Sequence, residues 1–391
     1  MTAETPRWLG DLSRELSDLR EAHRLRSLKE GTGRLDFASN DYLSLNADGR
    51  LEGMLRELAG EWKGPVGSTG SRLIRGHHSA FDRAQDAFAR YTGHSAALLF
   101  HSGYAANVGT LQALLTNRDR VFCDRLCHAS LLDGIRMSGA RRHYFAHNDL
   151  DDLARQLDKY SRAAGKGDPR GRDWIVSETL FSMDGDSPDL PAMAEIAEAK
   201  GALLYLDEAH AVGVLGPGGA GLVTAANLTE RVAVTVYPCG KAPGLMGAVV
   251  CGAPELRDYL INRARSFIFS TAQPPLLAAL LADVIELLGT DEMEARRRKL
   301  KGLGDDLRAR LKAGGLDTGA SSAQIVPVIL GSEERALRVA AACAEAGMDA
   351  RAIRPPSVPA DGSRLRITLQ ANHSTEDIRE LAELLLKTGG D

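Results

Sequence analysis

RVAVTVYPCGKAPGLMGAVVC, residues 231–251, sets two short apolar runs on either side of a single lysine. The first run, RVAVTV (231–236), reads as a buried strand, and GAVVC (247–251) follows it almost at once as a second. Between them Lys241 is held in a turn by Gly240, Pro243 and Gly244. An amine fixed at the end of a buried strand is placed for chemistry, and the rest of the chain has to say which.

Runs of the same kind recur upstream: AALLF (96–100), RVFCD (120–124), WIVSE (174–178) and ALLYLDE (202–208). Helical patterns separate them. Continuously apolar strands alternating with helices predict an α/β fold with a mostly parallel sheet covered on both faces. Phe81, Ala84, Phe88 and Tyr91 mark one helix behind a capping Ser79, and residues 192–200 mark another that stops at Gly201. A charged N-terminal helix is expected up to about Lys29, closed by Gly31 to Gly33. The last hundred residues change character: a strand QIVPVILG, a helix ending at Gly347, the stretch DARAIRPPSVP, a strand RLRITLQ and a helix opened by Ser374 and Thr375. The reading divides the chain into an N-terminal helix and arm (1–45), a large domain (46–288) and a small α+β C-terminal domain (289–391).

With 391 residues, 44% hydrophobic and 26% charged, the chain can bury a large core. Its 48 Lys and Arg against 52 Asp and Glu leave a net charge of -4, which lacks the basic field that nucleic acid or an anionic membrane surface requires. Five scattered cysteines, Cys123, Cys127, Cys239, Cys251 and Cys343, lack CxxC spacing, so neither a disulfide framework nor structural zinc is expected. A cytoplasmic location fits these thiols and an N-terminus without a signal-peptide core. The most apolar stretch, PPLLAALLADVIELLG, is broken by Asp283 and Glu286 and reads as a buried amphipathic helix rather than a membrane span.

Polar residues at strand ends carry the functional signal, because ligands of open α/β sheets sit beyond the carboxyl ends of the strands. Asp207 ends ALLYLDE and His210 follows three residues later; alone, the pair could be a cap or an ion pair. In LLFHSGYAANVGTL the backbone N–H groups of Ser102, Gly103 and Tyr104 open a helix and suit a phosphate, although glycine turns of this sort are common. His128 follows RVFCD, and Glu178 and Ser182 follow WIVSE; each could be structural. Taken with Lys241 they form one constellation. A phosphate cradle, a strand-end acid, a flat histidine and a strand-end lysine are what pyridoxal 5'-phosphate needs: an amine to form a Schiff base with its aldehyde and an acid to keep its pyridine nitrogen protonated.

The motifs FASNDYLSL, GSTGSRLIRGHH, FHSGYAAN, DRLCHASL, FAHND, ETLFSMDGD, LDEAHAVGVLGPGGAG, GKAPG, FSTAQPP and IRPPSVPADGSRLRITL, in this order, carry a resemblance over nearly the whole chain. The sequence resembles the α-oxoamine synthases, fold-type I pyridoxal-phosphate transferases with an aspartate aminotransferase-like architecture. The resemblance implies that Lys241 bonds the cofactor and moves the substrate α-proton. It implies that Asp207 pairs with the pyridine nitrogen, that His210 and Ser182 reach the ring oxygen, and that His128 stacks on the ring. Glu178 belongs to the same cofactor site. Ser102, Gly103 and Tyr104 fall where the phosphate binds, and Ser270 and Thr271 match positions that reach it from the second subunit of a homodimer. Arg366, with Asn40 and Ser71, matches the site for the amino-acid carboxylate, and Arg26 an arginine near the acyl substrate.

The implied reaction is a decarboxylative condensation. The branch most resembled joins L-alanine to a pimeloyl thioester, on CoA or a carrier protein, in biotin synthesis. Relatives that use glycine or serine, or another acyl donor, stay open, as does a non-catalytic subunit, against which the presence of Lys241 argues. A dinucleotide enzyme fails for want of a GxGxxG with a following acid, and a metalloenzyme for want of ligand clusters. One departure stands out. Where the family commonly has threonine or serine three residues before the lysine, this chain has Pro238, which lacks both hydroxyl and N–H. Losing one charge-assisted hydrogen bond to the phosphate costs roughly 1.5–3 kcal/mol.

Overall fold

The computed structural model describes residues 6–163 and 171–390, apart from residues 23, 29 and 32. A seven-stranded sheet is built from β1 (Ala96–Phe100), β2 (Arg120–Asp124), β3 (Arg141–Phe145), β4 (Asp173–Glu178), β5 (Leu203–Asp207), β6 (Val234–Pro238) and β7 (Ala248–Gly252). Their spatial order is β1-β7-β6-β5-β4-β2-β3. Only β7 runs against the rest, pairing antiparallel with both β1 and β6. Apart from the edge strand β3, the strands are largely apolar and buried because both of their faces are covered. Val121, Cys123, Trp174 and Val176 enter one core with Leu111 and Leu131, whereas Phe122 and Ile175 point the other way into a core with Leu157 and Met193.

Four differences from the sequence reading are local. The strand expected at 231–236 starts at Val234, because the N–H groups of Arg231 and Val232 still close a turn on the carbonyl of Leu228. β3 went unread: it is an edge strand, RRHYF, with exposed arginines and no apolar run. The N-terminal helix spans Arg7–Glu21 and buries none of its side chains, rather than continuing towards residue 29, which lies outside the described residues. The helix Ser79–Thr92 is capped by His78, whose side chain accepts from Ala80 N–H, and Ser79 is its first residue.

The stretch PPLLAALLADVIELLG is a helix, Pro275–Leu288, with ten of its fourteen residues buried, and its Asp283 pairs with Arg83. No helix among the described residues is long and apolar enough to cross a membrane. A second sheet of β8 (Ile325–Gly331), β9 (Arg351–Ile353) and β10 (Ser363–Thr368) is antiparallel, in the order β9-β10-β8. A single apolar cluster joins both sheets, from Leu99, Tyr237 and Val249 to Val326, Leu365 and Ile367. That shared core holds β10 beside the carboxyl end of the large sheet, and so brings Arg366 to the site.

Candidate active site

β1, β2, β4, β5 and β6 all point their carboxyl ends to the same edge of the sheet. A cleft of about 350 Å³ opens there, lined by Ser102, Gly103, Tyr104, Asn107, His128, Glu178, Asp207, His210, Pro238 and Lys241, with Asn40 at its margin. The strand-end groups picked out in the sequence thus meet in one place. Ser270 and Thr271 line a different, smaller crevice, and Ser71, Ser182, Arg26 and Arg366 are not among the cleft-lining side chains.

Asp207 is 3% exposed and accepts from Asn107 Nδ2 at 2.7 Å and from Ala209 N–H at 2.9 Å. These donors are neutral, so a buried carboxylate here still lacks a directly bonded cation. Asn107 spends its amide fully: Nδ2 also donates to Ser130 Oγ at 2.9 Å, and Oδ1 takes the Tyr205 hydroxyl at 2.9 Å. Neither Asn107 nor Tyr205 was singled out in the sequence. The signal available was an amide among the mostly apolar buried residues of the helix Gly103–Leu114, where a buried polar group needs a partner.

Burial pushes the Lys241 ammonium down to about 8, with the charges of Asp207 and Glu178 pulling it back up. Glu178 moves the other way: burial, and then the Asp207 charge, raise it to about 8, while Lys241 and a 2.6 Å hydrogen bond from His128 N–H oppose the rise. His128 caps the helix Ala129–Ser138, its Nδ1 accepting from Ser130 N–H at 3.2 Å, which fixes the ring at the cleft wall. Burial lowers its pKa, and Asp207 opposes that. His210 is held well below its usual pKa by burial, then by the positive charges of Lys241 and Arg366. Its Nδ1 lies 2.5 Å from the buried Tyr42 hydroxyl.

Ser102 caps the helix Gly103–Leu114, its Oγ accepting from Ala105 N–H at 3.2 Å. A Cβ on Gly103 would lie 2.9 Å from Pro238 Cγ, so this position has to remain bare for the turn to pack on the end of β6. The proline therefore forms one wall of the turn where a hydroxyl would otherwise stand.

Arg366 is 8% exposed, and its described hydrogen bonds all go to neutral acceptors: Ser182 O at 2.5 Å, Thr368 Oγ1 at 2.9 Å and Asn40 Oδ1 at 3.0 Å. The backbone of Ser182, rather than its hydroxyl, makes that contact. Ser71 is buried with its Oγ unpartnered, close in the chain to Gly70, whose carbonyl takes Ala272 N–H at 3.0 Å. Ser71 thus lies with the segment carrying Ser270 and Thr271. Arg26 is exposed, with Nη2 3.5 Å from Ser357 Oγ in the IRPPSVP stretch.

The aminotransferase class I and II family matches residues 32–385 of the chain. The chain is 40% identical to the 8-amino-7-oxononanoate synthase of Chromobacterium violaceum, covering 97% of this chain and 98% of that one. It is 44% identical to the enzyme of the same name from Acidithiobacillus ferrooxidans, over 90% and 87% of the two chains. Among solved structures, a serine palmitoyltransferase from S. paucimobilis superposes with a TM-score of 0.85 at 26% identity over 97% of each chain. The 8-amino-7-oxononanoate synthase of Francisella tularensis gives a TM-score of 0.76 at 26% identity, over 90% of this chain and 97% of that one.

Proposed function

Because this chain belongs to the aminotransferase class I and II family, with relatives and structural neighbours among the α-oxoamine synthases, we propose that it condenses L-alanine with a pimeloyl thioester. The products are 8-amino-7-oxononanoate, CO2 and the free thiol carrier, in biotin synthesis. The observation that carries the reading is the presence, in one cleft, of a half-buried lysine and a buried aspartate whose hydrogen-bond donors are all neutral.

The cofactor is pyridoxal 5'-phosphate, and the residues present fit it. The bare backbone at Gly103, packed against Pro238, leaves helix-terminal N–H groups for a phosphate. Asp207 offers the negative charge that a protonated pyridine nitrogen would satisfy. Bound there, the group supplies an aldehyde that captures amines and an electron-accepting ring that lets a bond at the amino acid's α-carbon break heterolytically.

The chain's own residues do the rest. Lys241 would hold the aldehyde through Nζ and, when released from it, move the α-proton there; burial lowers its ammonium towards that task. Asp207, kept in place by Asn107, keeps the ring nitrogen protonated. Neutral His210, held by the 2.5 Å contact of its Nδ1 with the Tyr42 hydroxyl, would turn Nε2 to the ring oxygen. His128, at the cleft wall, would stand against the ring, and Glu178 steadies it by accepting from its backbone N–H. Arg366, a buried cation short of an anion, takes the amino-acid carboxylate with Asn40. A second opening of about 440 Å³ shares Asn40, Gly240 and Lys241 with the first and gives the acyl thioester a separate approach. Arg26, near the IRPPSVP stretch, is proposed for the acyl carboxylate.

A homodimer completes the site in this reading. Val66, Leu73, Ile74 and Phe269 are 76%, 51%, 86% and 70% exposed, and they flank the segments bearing Ser71, Ser270 and Thr271. Ser270 and Thr271 would act across the interface, and Ser71, whose Oγ has no partner within the chain, lies on the segment next to them. Five buried, unpaired cysteines support a reducing cytoplasm.

Turnover measured with alanine, glycine and serine against pimeloyl-CoA, carrier-bound pimeloyl and shorter acyl-CoAs tests the assignment. Alanine with a pimeloyl donor should give the highest kcat/KM; a preference for glycine or serine, or for a short acyl chain, moves the chain to another branch of the family.

A further inference from the structure

The motif FAHND has no part in the reaction as described, yet its histidine occupies an unusual position. His147, in the turn after β3, has Nδ1 3.0 Å from Asp124 Oδ1 and Nε2 3.0 Å from Asp186 Oδ2. A neutral imidazole has one N–H and can donate in only one of these directions; donating in both requires the imidazolium. Asp124 is fully buried at the end of β2, and Asp186 is 7% exposed. Without a cation between them, two carboxylates would be buried side by side. Burial by itself would lower the histidine's pKa, but its hydrogen bonds to Asp124 and Asp186 push it up to about 10.

Asp186 closes a tight turn, residues 181–186, that hangs between the two sheets. Its carbonyl takes Phe181 N–H at 2.9 Å, and Gly185 N–H returns to the Phe181 carbonyl at 2.9 Å. Phe181 meets the His147 ring edge-on, with centroids 4.5 Å apart at 90°. The far side of the turn is tied to the second sheet. Gly185 has φ +64°, with room for no Cβ because one would lie 2.1 Å from Ile325 O. Its carbonyl takes Ser322 N–H at 2.9 Å, and Asp184 pairs with Arg364 of β10. The carbonyl of Ser182 takes Arg366 Nε at 2.5 Å. The turn is thus the only described hydrogen-bond route from the large sheet to Nε of Arg366.

We propose that His147 is a positioning residue: as a cation clamped between Asp124 and Asp186, it fixes the 181–186 turn and, through the Ser182 carbonyl, aims the Arg366 guanidinium at the amino-acid carboxylate. The proposal rests on the carboxylate role given to Arg366 above. It gives FAHND and SMDGD one shared purpose, with Asn148 assisting by donating from Nδ2 to Asp186 at 2.8 Å. His147, Asp184 and Asp186 also come close enough together to suggest a cation site. An imidazolium donating from both nitrogens has no lone pair for a metal, and Asp184 is already paired with Arg364.

The test uses the holoenzyme. His147→Gln should raise the amino-acid KM about tenfold, while kcat and the thioester KM stay within about twofold. Amide exchange should quicken over residues 181–186 and 364–366 and stay unchanged over residues 203–207. Asp186→Asn keeps an acceptor for Nε2 but removes one charge; it should give the same pattern more weakly, and it serves where His147→Gln does not fold. A folded variant with unchanged exchange at 181–186, or with kcat and both KM values changed together as a general structural defect would change them, overturns the proposal. Arg366→Lys is measured alongside. If it leaves the amino-acid KM unchanged, the reading of Arg366 fails, and the clamp then stands or falls on the exchange at 364–366.

Discussion

Lys241 and Asp207 act at the scale of single atoms, and their substitution should separate binding from chemistry. Lys241→Ala is expected to abolish turnover with the fold intact, checked by circular dichroism beside the assay; retained activity would refute its assigned role. Asp207→Asn should leave the cofactor bound and lower kcat about 10²- to 10³-fold, because an amide cannot stabilise the charged ring nitrogen. A loss under tenfold would count against the pairing. His147 adds a pH signature. Its pKa is raised from 6.5 in the unfolded chain to about 10 in the fold. The stability it contributes is therefore complete below pH 6.5 and disappears as pH rises through 10. The charges around it are Asp124 at the end of β2, Asp186 and Asp184 in the turn, and Arg364 of β10, which is taken by Asp184. Denaturant unfolding of wild type and His147→Gln should show a gap between them that narrows from pH 8 to pH 10.5. A constant gap would mean the ring is not charged.

At the scale of elements, the site depends on where strands stop and helices start. The helix Gly103–Leu114 presents its first N–H groups beside the end of β6, and Pro238 packs there without offering a hydrogen bond of its own. Pro238→Thr is expected to restore a hydroxyl to the phosphate and tighten cofactor binding by about 1.5–3 kcal/mol, at least tenfold in Kd. Titration of the apo-protein with the cofactor measures this. Unchanged or weaker binding would show that the turn has adapted to the proline. Gly103→Ala should weaken binding in the same titration, since its Cβ would lie 2.9 Å from Pro238 Cγ.

For the whole molecule, the large apolar side chains left exposed around Ser71, Ser270 and Thr271 demand a cover. Ile74→Asp should shift the protein from dimer to monomer in sedimentation velocity and weaken cofactor binding, because in the proposed dimer Ser270 and Thr271 reach the phosphate of the other subunit. A dimer that persists with full affinity would mean that the interface lies elsewhere. The shared core between the sheets carries a related expectation. Ile367→Ala, fully buried in that core, should cost about 2–5 kcal/mol of stability. It should also raise the amino-acid KM, because β10 carries Arg366 on an adjoining residue.

The sequence determined the strands that are buried on both faces, since such strands must be apolar at every position, and it determined the strand-end groups Lys241, Asp207, His128 and Ser102, since chemistry at a sheet edge needs polar residues where an apolar run ends. It left the edge strand β3 unread, because a strand with solvent on one side and arginines along it carries no apolar run. Tertiary structure alone decided the partners. That Asn107 holds Asp207, that His147 bridges Asp124 and Asp186, and that Arg366 hangs on the carbonyl of Ser182 are contacts between residues 23 to 184 positions apart. No periodicity records such separations. They exist because a buried polar group must find its complement wherever the packed chain brings one within reach.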